Sequence, residues 1–430
     1  NILAMIGLSL YILADTYFIS KAVGANGITA LNMALPVYGV IFALGQMVGV
    51  GSAIRYSIVK EQYRNSNKDG SNECDKYFSG ALFWGLVIGV IFAVLGLVFP
   101  DKIVEIMGGD ETIVAIGVPY FRIFMSFSPF FIFNYTCNAF VRNDGNPSVS
   151  MAATLISSLF NIVFDYILMF PLGMGMPGAA LATALSPVVG VMICMIHFLS
   201  KKNTVKFKWF KISLTRLFHC CQVGMSAFVG EMSGAVIVMV FNFIILRLTG
   251  NIGVAAYGVV ANTALVAVAV FNGVALGSQP LISESYGKHN IKDIKLIEKL
   301  GVATALGLAV IIVIMIWGFT DTIVGVFNSQ GSDRLLSLAR VGLRIYFIGF
   351  LFAGINIFCS SALSAIASVK WAFVLSILKG FVVVNVCAAI LAPIFGMNGV
   401  WVAFPLSEFI LLIISGVAMK KSIGALESER

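Results

Sequence analysis

The sequence has few charged residues, few histidines and no cysteines at the C-x-x-C spacing of metal sites. Only 11% of its 430 residues are charged, whereas a soluble chain carries about 25%. None of the three histidines has a second histidine four residues away that would complete a pair of metal ligands on a helix. The seven cysteines form no C-x-x-C pair. A soluble protein is therefore excluded, and we expect neither a structural metal nor a disulfide framework.

Motifs of catalysis and of nucleic-acid binding are missing as well. The chain contains no nucleophile elbow, no phosphate-binding loop and no H-E-x-x-H stretch. The formal net charge is +8, but the basic residues are scattered over short loops and do not form one face. We therefore expect no enzyme, no cofactor and no nucleic-acid partner.

Long hydrophobic segments are abundant, because 59% of the residues are hydrophobic. Twelve runs are long enough to cross a hydrocarbon core of about 30 Å at about 1.5 Å per residue. They lie near residues 1–20, 28–58, 77–99, 116–140, 149–170, 178–199, 217–247, 254–281, 299–319, 335–363, 371–392 and 398–418. This pattern predicts an all-α polytopic membrane protein with twelve transmembrane helices. The chain does not begin with Met, and we expect its first helix to be truncated at its start and not to be a signal peptide.

The basic residues predict the orientation in the membrane. Nineteen of the 28 lysines and arginines lie in segments that follow even-numbered spans. The opposite loops contain only four: Lys21, Lys102, Arg247 and Arg334. Since loops retained in the cytoplasm are enriched in Lys and Arg, this asymmetry predicts that both termini lie in the cytoplasm. We expect the protein to lie in the plasma membrane.

The two halves of the chain are related by an internal repeat. With an offset of 226, the residues Gly24, Gly27, Ala30, Gly51 and Ser52 recur as Gly250, Gly253, Ala256, Gly277 and Ser278. With an offset of 222, the residues Arg122, Ile123, Asn134, Cys137 and Pro171 recur as Arg344, Ile345, Asn356, Cys359 and Pro393. Each half has six helices, so the repeats are parallel, as in many transporters that alternate access to a shared site. We predict an amino-terminal lobe at 1–199, a basic cytoplasmic linker at 200–216, a second lobe at 217–418 and a cytoplasmic tail at 419–430.

Four acidic residues fall at membrane depth: Asp15, Asp165, Glu231 and Glu408. A carboxylate there costs several kcal/mol unless it is protonated, paired or ligated, so each is a candidate functional residue. Two carboxylates close together tend to share one proton, and together with other oxygen ligands they can also bind Na⁺. The sequence leaves H⁺ and Na⁺ open.

Five stretches resemble the multidrug and toxic compound extrusion (MATE) transporters, and within them the bacterial MepA-like branch. They are LADTYFIS before Gly24, RNDGNP, NIVFDYILMF, GAALATALS and QPLISESYG, in the order of that family. The resemblance implies two six-helix lobes in a V and export of small cationic amphipathic compounds in exchange for H⁺ or Na⁺. It also implies an amino-terminal cation site, here formed by Asp15, Asn161, Asp165 and Thr183. Asn161 and Asp165 are four residues apart, hence on one helical face.

The second lobe has a different set of candidates. Asp15 maps by the repeat onto Phe241 and Asp165 onto Cys387, and the helix 10 aspartate of some relatives is missing from FCSSALSAIAS. Either other polar groups replace it or Glu231 attracts the cationic substrate directly. The predicted substrate or cavity residues are Glu231, Asn138, Asn242, Asn262, Asn356 and Glu408. For Glu408 we favour an ion pair with Lys379 over a place in an aqueous cavity.

Three other functions fit the sequence less well. A lipid-linked oligosaccharide flippase of the same distant superfamily would need a cavity rich in Arg and Lys, whereas the charges expected here are acidic. The other large group of twelve-helix transporters has a G-x-x-x-D-[RK] signature that the loop after helix 2 lacks. A membrane scaffold or receptor would not need the buried acids. We expect a monomer in the lipid bilayer.

Overall fold

The computed structural model describes residues 2–66, 71–107, 109, 111–209, 213–327 and 332–428, which are almost entirely helical. The first eight helices are α1 (Ile2–Ala22), α2 (Ala25–Asn65), α3 (Ser71–Val98), α4 (Pro100–Ile106), α5 (Glu111–Ser126), α6 (Ser128–Asn143), α7 (Pro147–Met169) and α8 (Gly175–Phe198). The other nine are α9 (Leu214–Thr249), α10 (Asn251–Gly287), α11 (Ile291–Gly318), α12 (Thr320–Phe327), α13 (Asp333–Tyr346), α14 (Phe350–Ala365), α15 (Val369–Ile377), α16 (Val384–Phe395) and α17 (Met397–Ser428). A π-helical turn at Leu378–Val383 joins α15 to α16.

The described helices occupy all twelve predicted spans. Ten spans are long and apolar enough to cross a membrane, counting α13 with α14 and α15 with α16 as one each. The pair α5 and α6 forms another, bent by 46° at its break. The 21 residues of α1 lie at the first predicted span. The short helices α4 and α12 were not predicted; α4 begins at Pro100, whose missing N–H is tolerated in a first helical turn.

The structure repeats with the offsets read from the sequence. Gly24 and Gly250 both adopt a positive φ, 84° and 69°, immediately before the long helices α2 and α10. This conformation is costly for residues with a Cβ, which explains why glycine recurs here. Helices α6 and α14 both have 16 residues and begin 222 residues apart, at Ser128 and Phe350. The internal repeat is therefore a repeat of helices.

The chain divides into two compact units, Leu3–Glu231 and Met232–Arg430, whose boundary falls inside α9. In the first unit, Tyr38 of α2 stacks on Phe124 of α5 with ring centroids 3.7 Å apart. In the second unit, Tyr346 of α13 stacks on Phe404 of α17 at 4.1 Å. Each unit therefore has its own aromatic core. The lobe boundaries at 199 and 217 remain predictions, and α17 continues through Ser428 into the predicted tail.

Apolar side chains are exposed along the outer helices. On α3 they include Val90, Ile91, Val94 and Leu97, and on α11 they include Ile311 and Ile314. A soluble protein rarely exposes such continuous apolar surface. These faces fit the hydrocarbon core of a bilayer.

Candidate functional site

The turn between α7 and α8 brings two predicted site residues together. Gly173 and Gly175 have φ values of 61° and 57°, which allow a tight reversal. A Cβ on Gly178 would lie 3.2 Å from the main chain of Leu168, so the small residues at the start of α8 permit close packing on α7. Further along this contact, the Asn161 amide donates a hydrogen bond of 3.2 Å to the Thr183 hydroxyl.

All four residues of the predicted cation site are buried in the first unit. Their exposed fractions are 6% for Asp15, zero for Asn161 and Asp165, and 4% for Thr183. Asp15 of α1 interacts electrostatically with Asp165 of α7. The structure therefore places the predicted residues of α1, α7 and α8 in one cluster.

Four oxygens of this cluster have no hydrogen bond. They are Asp15 Oδ1, Asn161 Oδ1 and both carboxylate oxygens of Asp165. An unpaired buried acceptor costs about 1–3 kcal/mol, and more when it is charged. A bound cation or a shared proton removes that cost, because oxygen-only ligands suit Na⁺ and close carboxyls share protons.

Three tyrosines near the cluster were missed by sequence reasoning. Tyr11 lies one turn before Asp15 on α1 and interacts electrostatically with both aspartates. The Tyr38 and Tyr120 hydroxyls lie 3.2 Å apart, and both residues interact with Asp15. The four-residue spacing from Asp15 could have identified Tyr11. No periodicity in α2 or α5 distinguishes the other two from core aromatics.

Glu231 forms a separate polar group within the first unit. The Gln46 amide of α2 donates a hydrogen bond of 2.6 Å to Glu231 Oε1 on α9, and the carboxylate interacts electrostatically with Tyr135 of α6. The Glu231 side chain is exposed. A carboxylate at membrane depth requires water or a cation beside it, so this position can attract a positively charged ligand. Sequence reasoning missed Gln46.

The predicted asparagines have different surroundings. Asn138 is buried between α6 and α7, where its amide donates to the Asn134 side chain and its carbonyl accepts from Ser150. Asn262 is half-buried and donates to the main-chain oxygen of Gly258. Asn242 is half-buried on α9. Asn138 belongs to the first unit and Asn242 and Asn262 to the second, and the role of all three as cavity residues stays a prediction.

Asn356 and Glu408 do meet, in the second unit. The Asn356 amide donates a hydrogen bond of 2.7 Å to Glu408 Oε2, and both residues are buried. None of the ion pairs in the described part of the chain joins Lys379 to Glu408. The expected direct ion pair is therefore not formed. The partner of Glu408 is Asn356 instead. Sequence spacing could not relate this residue on α14 to a residue on α17.

Another buried acid, Asp144, joins the RNDGNP turn to the segment after α8. Its Oδ1 accepts hydrogen bonds from Tyr56 at 2.6 Å and Lys60 at 2.8 Å. Its Oδ2 accepts from His197 Nε2 and from the Thr204 main chain, both at 2.9 Å. Burial favours the neutral acid, but the hydrogen bonds from Lys60 and Thr204 outweigh it and hold the pKa of Asp144 below its usual value. His197 is a buried partner of this acid.

The same segment is attached to α3 by the buried Asp75. Asp75 accepts a hydrogen bond of 2.8 Å from the Lys206 main chain and forms an ion pair of 2.9 Å with Lys208. Part of the predicted linker 200–216 is therefore held against the first unit. Residues 210–212 lie outside the described residues.

No group of three or more His, Cys, Asp and Glu side chains that could hold a metal occurs among the described residues. The cluster around Asp15 instead combines two carboxylates with amide and hydroxyl oxygens. This donor set fits a proton or an alkali cation better than a transition metal.

Comparison with known proteins places the chain in a family. The MatE family profile matches residues 1–167 and again residues 227–394, so the two matches begin 226 residues apart. This spacing confirms the repeat. Among curated relatives, the multidrug export protein MepA of Staphylococcus aureus (strain bovine RF122 / ET3-1) is 26% identical over 412 residues, covering 93% of this chain and 86% of the relative. MepA of Staphylococcus saprophyticus is 24% identical over 396 residues, covering 91% and 85%.

Solved structures show the same fold. An outward-facing multidrug resistance MATE family transporter of the MOP superfamily superposes with a TM-score of 0.92 at 22% identity, covering 99% of this chain and 95% of the other. A MOP superfamily transporter from Pyrococcus furiosus superposes with a TM-score of 0.89 at 22% identity and the same coverage. The predicted all-α fold is confirmed. Since the family profile covers most of the sequence, the chain belongs to the MatE family, the multidrug and toxic compound extrusion transporters.

Proposed function

We propose that this protein is a secondary active exporter of cationic amphipathic compounds, driven by inward movement of H⁺ or Na⁺. The proposal draws on its family and on relatives described as multidrug export proteins. It places the protein in a bacterial plasma membrane, with both termini in the cytoplasm, as a monomer without a cofactor. The two lobes, at 1–199 and 217–418, alternate access to a shared substrate site.

The coupling ion binds at Asp15, Asn161, Asp165 and Thr183. The observation that carries this assignment is the set of four buried oxygens without a hydrogen bond, contributed by the first three residues. Because these oxygens are anionic or carry partial negative charge, an arriving cation gains electrostatic energy that no protein donor supplies. The Thr183 hydroxyl fixes the orientation of the Asn161 amide, so that its oxygen is available for the ion.

The substrate is attracted by Glu231. The exposed carboxylate supplies a negative charge, and the Tyr135 ring beside it is paired with Phe42 at 5.4 Å between centroids. Such rings bind a cation over their faces and stack on flat apolar groups. Asn242 and Asn262, both half-buried, are further candidates for polar contacts with the substrate.

Ion and substrate act in turn. With the carboxylates unoccupied by a cation, the negative charge of the first unit favours a positively charged substrate. When H⁺ or Na⁺ binds from outside at Asp15 and Asp165, that charge is neutralised and substrate binding weakens. The two ligands therefore favour different states of the transporter, which is the requirement for coupled exchange.

The test uses purified protein in vesicles with a fluorescent cationic dye. A pH gradient and a Na⁺ gradient are imposed separately, and uphill dye movement is measured for the wild type, Asp15→Asn and Asp101→Asn. Asp101 is an exposed aspartate on α4 and is the matched control. We expect one of the two gradients to drive the wild type and Asp101→Asn but not Asp15→Asn. Dye movement by wild type under neither gradient, or equal movement by Asp15→Asn, contradicts the proposal.

A further inference from the structure

The second unit lacks the oxygen groups of the first but buries a carboxyl group of its own. At the repeat-equivalent positions, Asp15, Asn161, Asp165 and Thr183 are replaced by Phe241, Val383, Cys387 and Pro405. Glu408 is nevertheless 3% exposed and lies eleven residues into α17, about 16 Å along the helix at about 1.5 Å per residue. A carboxyl group at that depth requires a partner or a proton.

Asn356 and Ser415 hold one side of the Glu408 carboxyl group. The Asn356 amide donates to Glu408 Oε2 at 2.7 Å and to the main-chain oxygen of Glu408 at 2.9 Å. The Ser415 hydroxyl donates to the Asn356 carbonyl at 2.8 Å. Since its carbonyl is engaged by Ser415, Asn356 is fixed with its N–H groups toward Glu408. This leaves Glu408 Oε1 as the oxygen that can take up a proton.

A lysine on an irregular turn also interacts with Glu408. Lys379 belongs to the π-helical turn Leu378–Val383, whereas the repeat-equivalent residues 156–161 lie in the regular helix α7. Lys379 interacts electrostatically with Glu408, although the two form no ion pair within 4 Å. Such turns occur frequently at functional sites. The turn packs closely on α9, since a Cβ on Gly380 would lie 2.0 Å from Ser233 Cβ.

The chemistry of these partners selects a proton over a metal cation. Asn356 presents N–H donors to Glu408, and Lys379 adds a positive charge nearby. Both features repel Na⁺, which needs several oxygen ligands. We propose that Glu408 is a proton-binding site of the second unit, held by Asn356 and Ser415, and that Lys379 compensates its charge when the proton leaves.

Other titratable groups lie on the helices that pack against α17. From α13, Tyr346 interacts electrostatically with Glu408. From α14, Cys359 is hydrogen-bonded to Ser415 and interacts with Glu298 of α11. The neighbouring helix α16 contains the buried Cys387. Lys379 is therefore the cationic side chain that interacts with Glu408 among the described residues.

The place of this site in a transport cycle rests on the proposed function, but proton binding itself does not. A proton from water binds Glu408 Oε1, and its release to water restores the carboxylate beside Lys379. Each uptake or release of the proton changes the net charge of the group formed by Asn356, Glu408 and Lys379 by one. The second unit thus carries its own proton, independent of Asp15 and Asp165.

Infrared difference spectroscopy measures this protonation directly. In the double variant Asp15→Asn with Asp165→Asn, we expect the carbonyl stretching band of a protonated carboxylic acid to change with pH. Adding Glu408→Gln is expected to remove that component, because glutamine keeps the hydrogen bond from Asn356 but cannot titrate. An unchanged pH-dependent band after Glu408→Gln overturns the proposal.

A second variant keeps the test decisive if Glu408→Gln fails to fold. Lys379→Met removes the charge at similar side-chain volume. Because the charge of Lys379 interacts with Glu408, we expect the pH dependence of the Glu408 band to change in this variant. A band at the same pH in Lys379→Met overturns the role of Lys379.

Transport separates this inference from the proposed function. With wild-type protein in vesicles, the protons moved per dye molecule are compared with those moved by Glu408→Gln. We expect Glu408→Gln to move fewer protons per dye. The same ratio in both proteins shows that Glu408 takes no part in the transport cycle. Absence of transport by the wild type contradicts the proposed function, and the infrared result alone then tests proton binding at Glu408.

Discussion

The Asn161 amide donates its hydrogen bond to the Thr183 hydroxyl at 3.2 Å, and the Asn161 carbonyl oxygen is left without a partner one helical turn from Asp165. The contact between α7 and α8 thereby orients the Asn161 amide, and the same helix α7 contributes the Asp165 carboxylate one turn further on. Asp15 supplies the second carboxylate from α1. This relationship is the basis of the proposed ion site.

The first prediction concerns the Thr183 hydroxyl. Thr183→Val keeps the side-chain shape but removes the acceptor for the Asn161 amide, so the amide loses its fixed orientation. Partners that orient a ligand typically change ion affinity by about 10–100-fold. We expect the concentration of coupling ion that gives half-maximal efflux to rise in that range. Thr183→Ser retains the hydroxyl and serves as the control; equal ion dependence in the two variants contradicts the orienting role.

The second prediction concerns Glu231 and the charge of the substrate. Glu231→Gln removes the charge while its remaining oxygen can still accept the hydrogen bond from Gln46. We expect KM for a cationic dye to rise about tenfold, equivalent to about 1.4 kcal/mol, and KM for a neutral analogue to stay unchanged. The exposed Glu105→Gln on α4 is the control. A parallel change for both dyes would assign Glu231 a structural role.

The third prediction concerns Asp144 and pH. The folded-state pKa of Asp144 is lower than its unfolded value of about 4, so the carboxylate stabilises the fold above that pH. The contribution is lost as pH falls through the unfolded pKa toward the folded pKa. Asp144→Asn removes it, at a cost of about 2 kcal/mol for hydrogen bonds to a charged group.

Melting temperatures in detergent check this expectation. The difference between wild type and Asp144→Asn is expected to be constant from about pH 8 to about pH 5 and to shrink below about pH 4. Asp101→Asn, an exposed change on α4, is expected to leave the melting temperature unaltered. A difference that grows on acidification would mean that the charged Asp144 destabilises the protein.

The fourth prediction concerns the close contact of α2 and α9. A Cβ on Gly51 would lie 2.1 Å from the Cys220 carbonyl oxygen, and one on Gly224 would lie 2.0 Å from the Met47 carbonyl oxygen. Gly224→Ala therefore forces the two backbones apart, and we expect a loss of about 1–3 kcal/mol, read as a lower melting temperature. Gly230→Ala, also on α9, meets no atom within 4 Å and is expected to be harmless. Equal stability of the two variants contradicts the close contact.

Much of the fold could be predicted from the sequence because the bilayer imposes length and composition on each span. The twelve spans follow from hydrophobic runs, and the repeat follows from glycines such as Gly24 and Gly250, whose positive φ restricts the residue type. Asp15 and Asp165 stood out because a carboxyl group in a hydrophobic run is costly. These signals are local, so one sequence is sufficient to read them.

The remaining features depend on distant contacts that no local pattern contains. The π-helical turn around Lys379 lies inside a predicted span, and its Gly380 packs against Ser233 of α9, a contact between residues far apart in sequence. The predicted Lys379–Glu408 ion pair was wrong because Asn356, from α14, takes the carboxylate. His197 and Asp144 are 53 residues apart, and their contact depends on how α6, α8 and the following segment fold together.

The most direct test of the central claim is ion-driven efflux by Asp165→Asn. The variant keeps the shape of the side chain but removes the charge, and its fold is verified beforehand by gel filtration and melting temperature. Dye efflux is then measured in vesicles under the gradient that drives the wild type, with Asp101→Asn as the control. The account predicts that Asp165→Asn remains folded and loses gradient-driven efflux, while Asp101→Asn retains it. Unimpaired efflux by folded Asp165→Asn would contradict the assignment of the ion site to α1, α7 and α8.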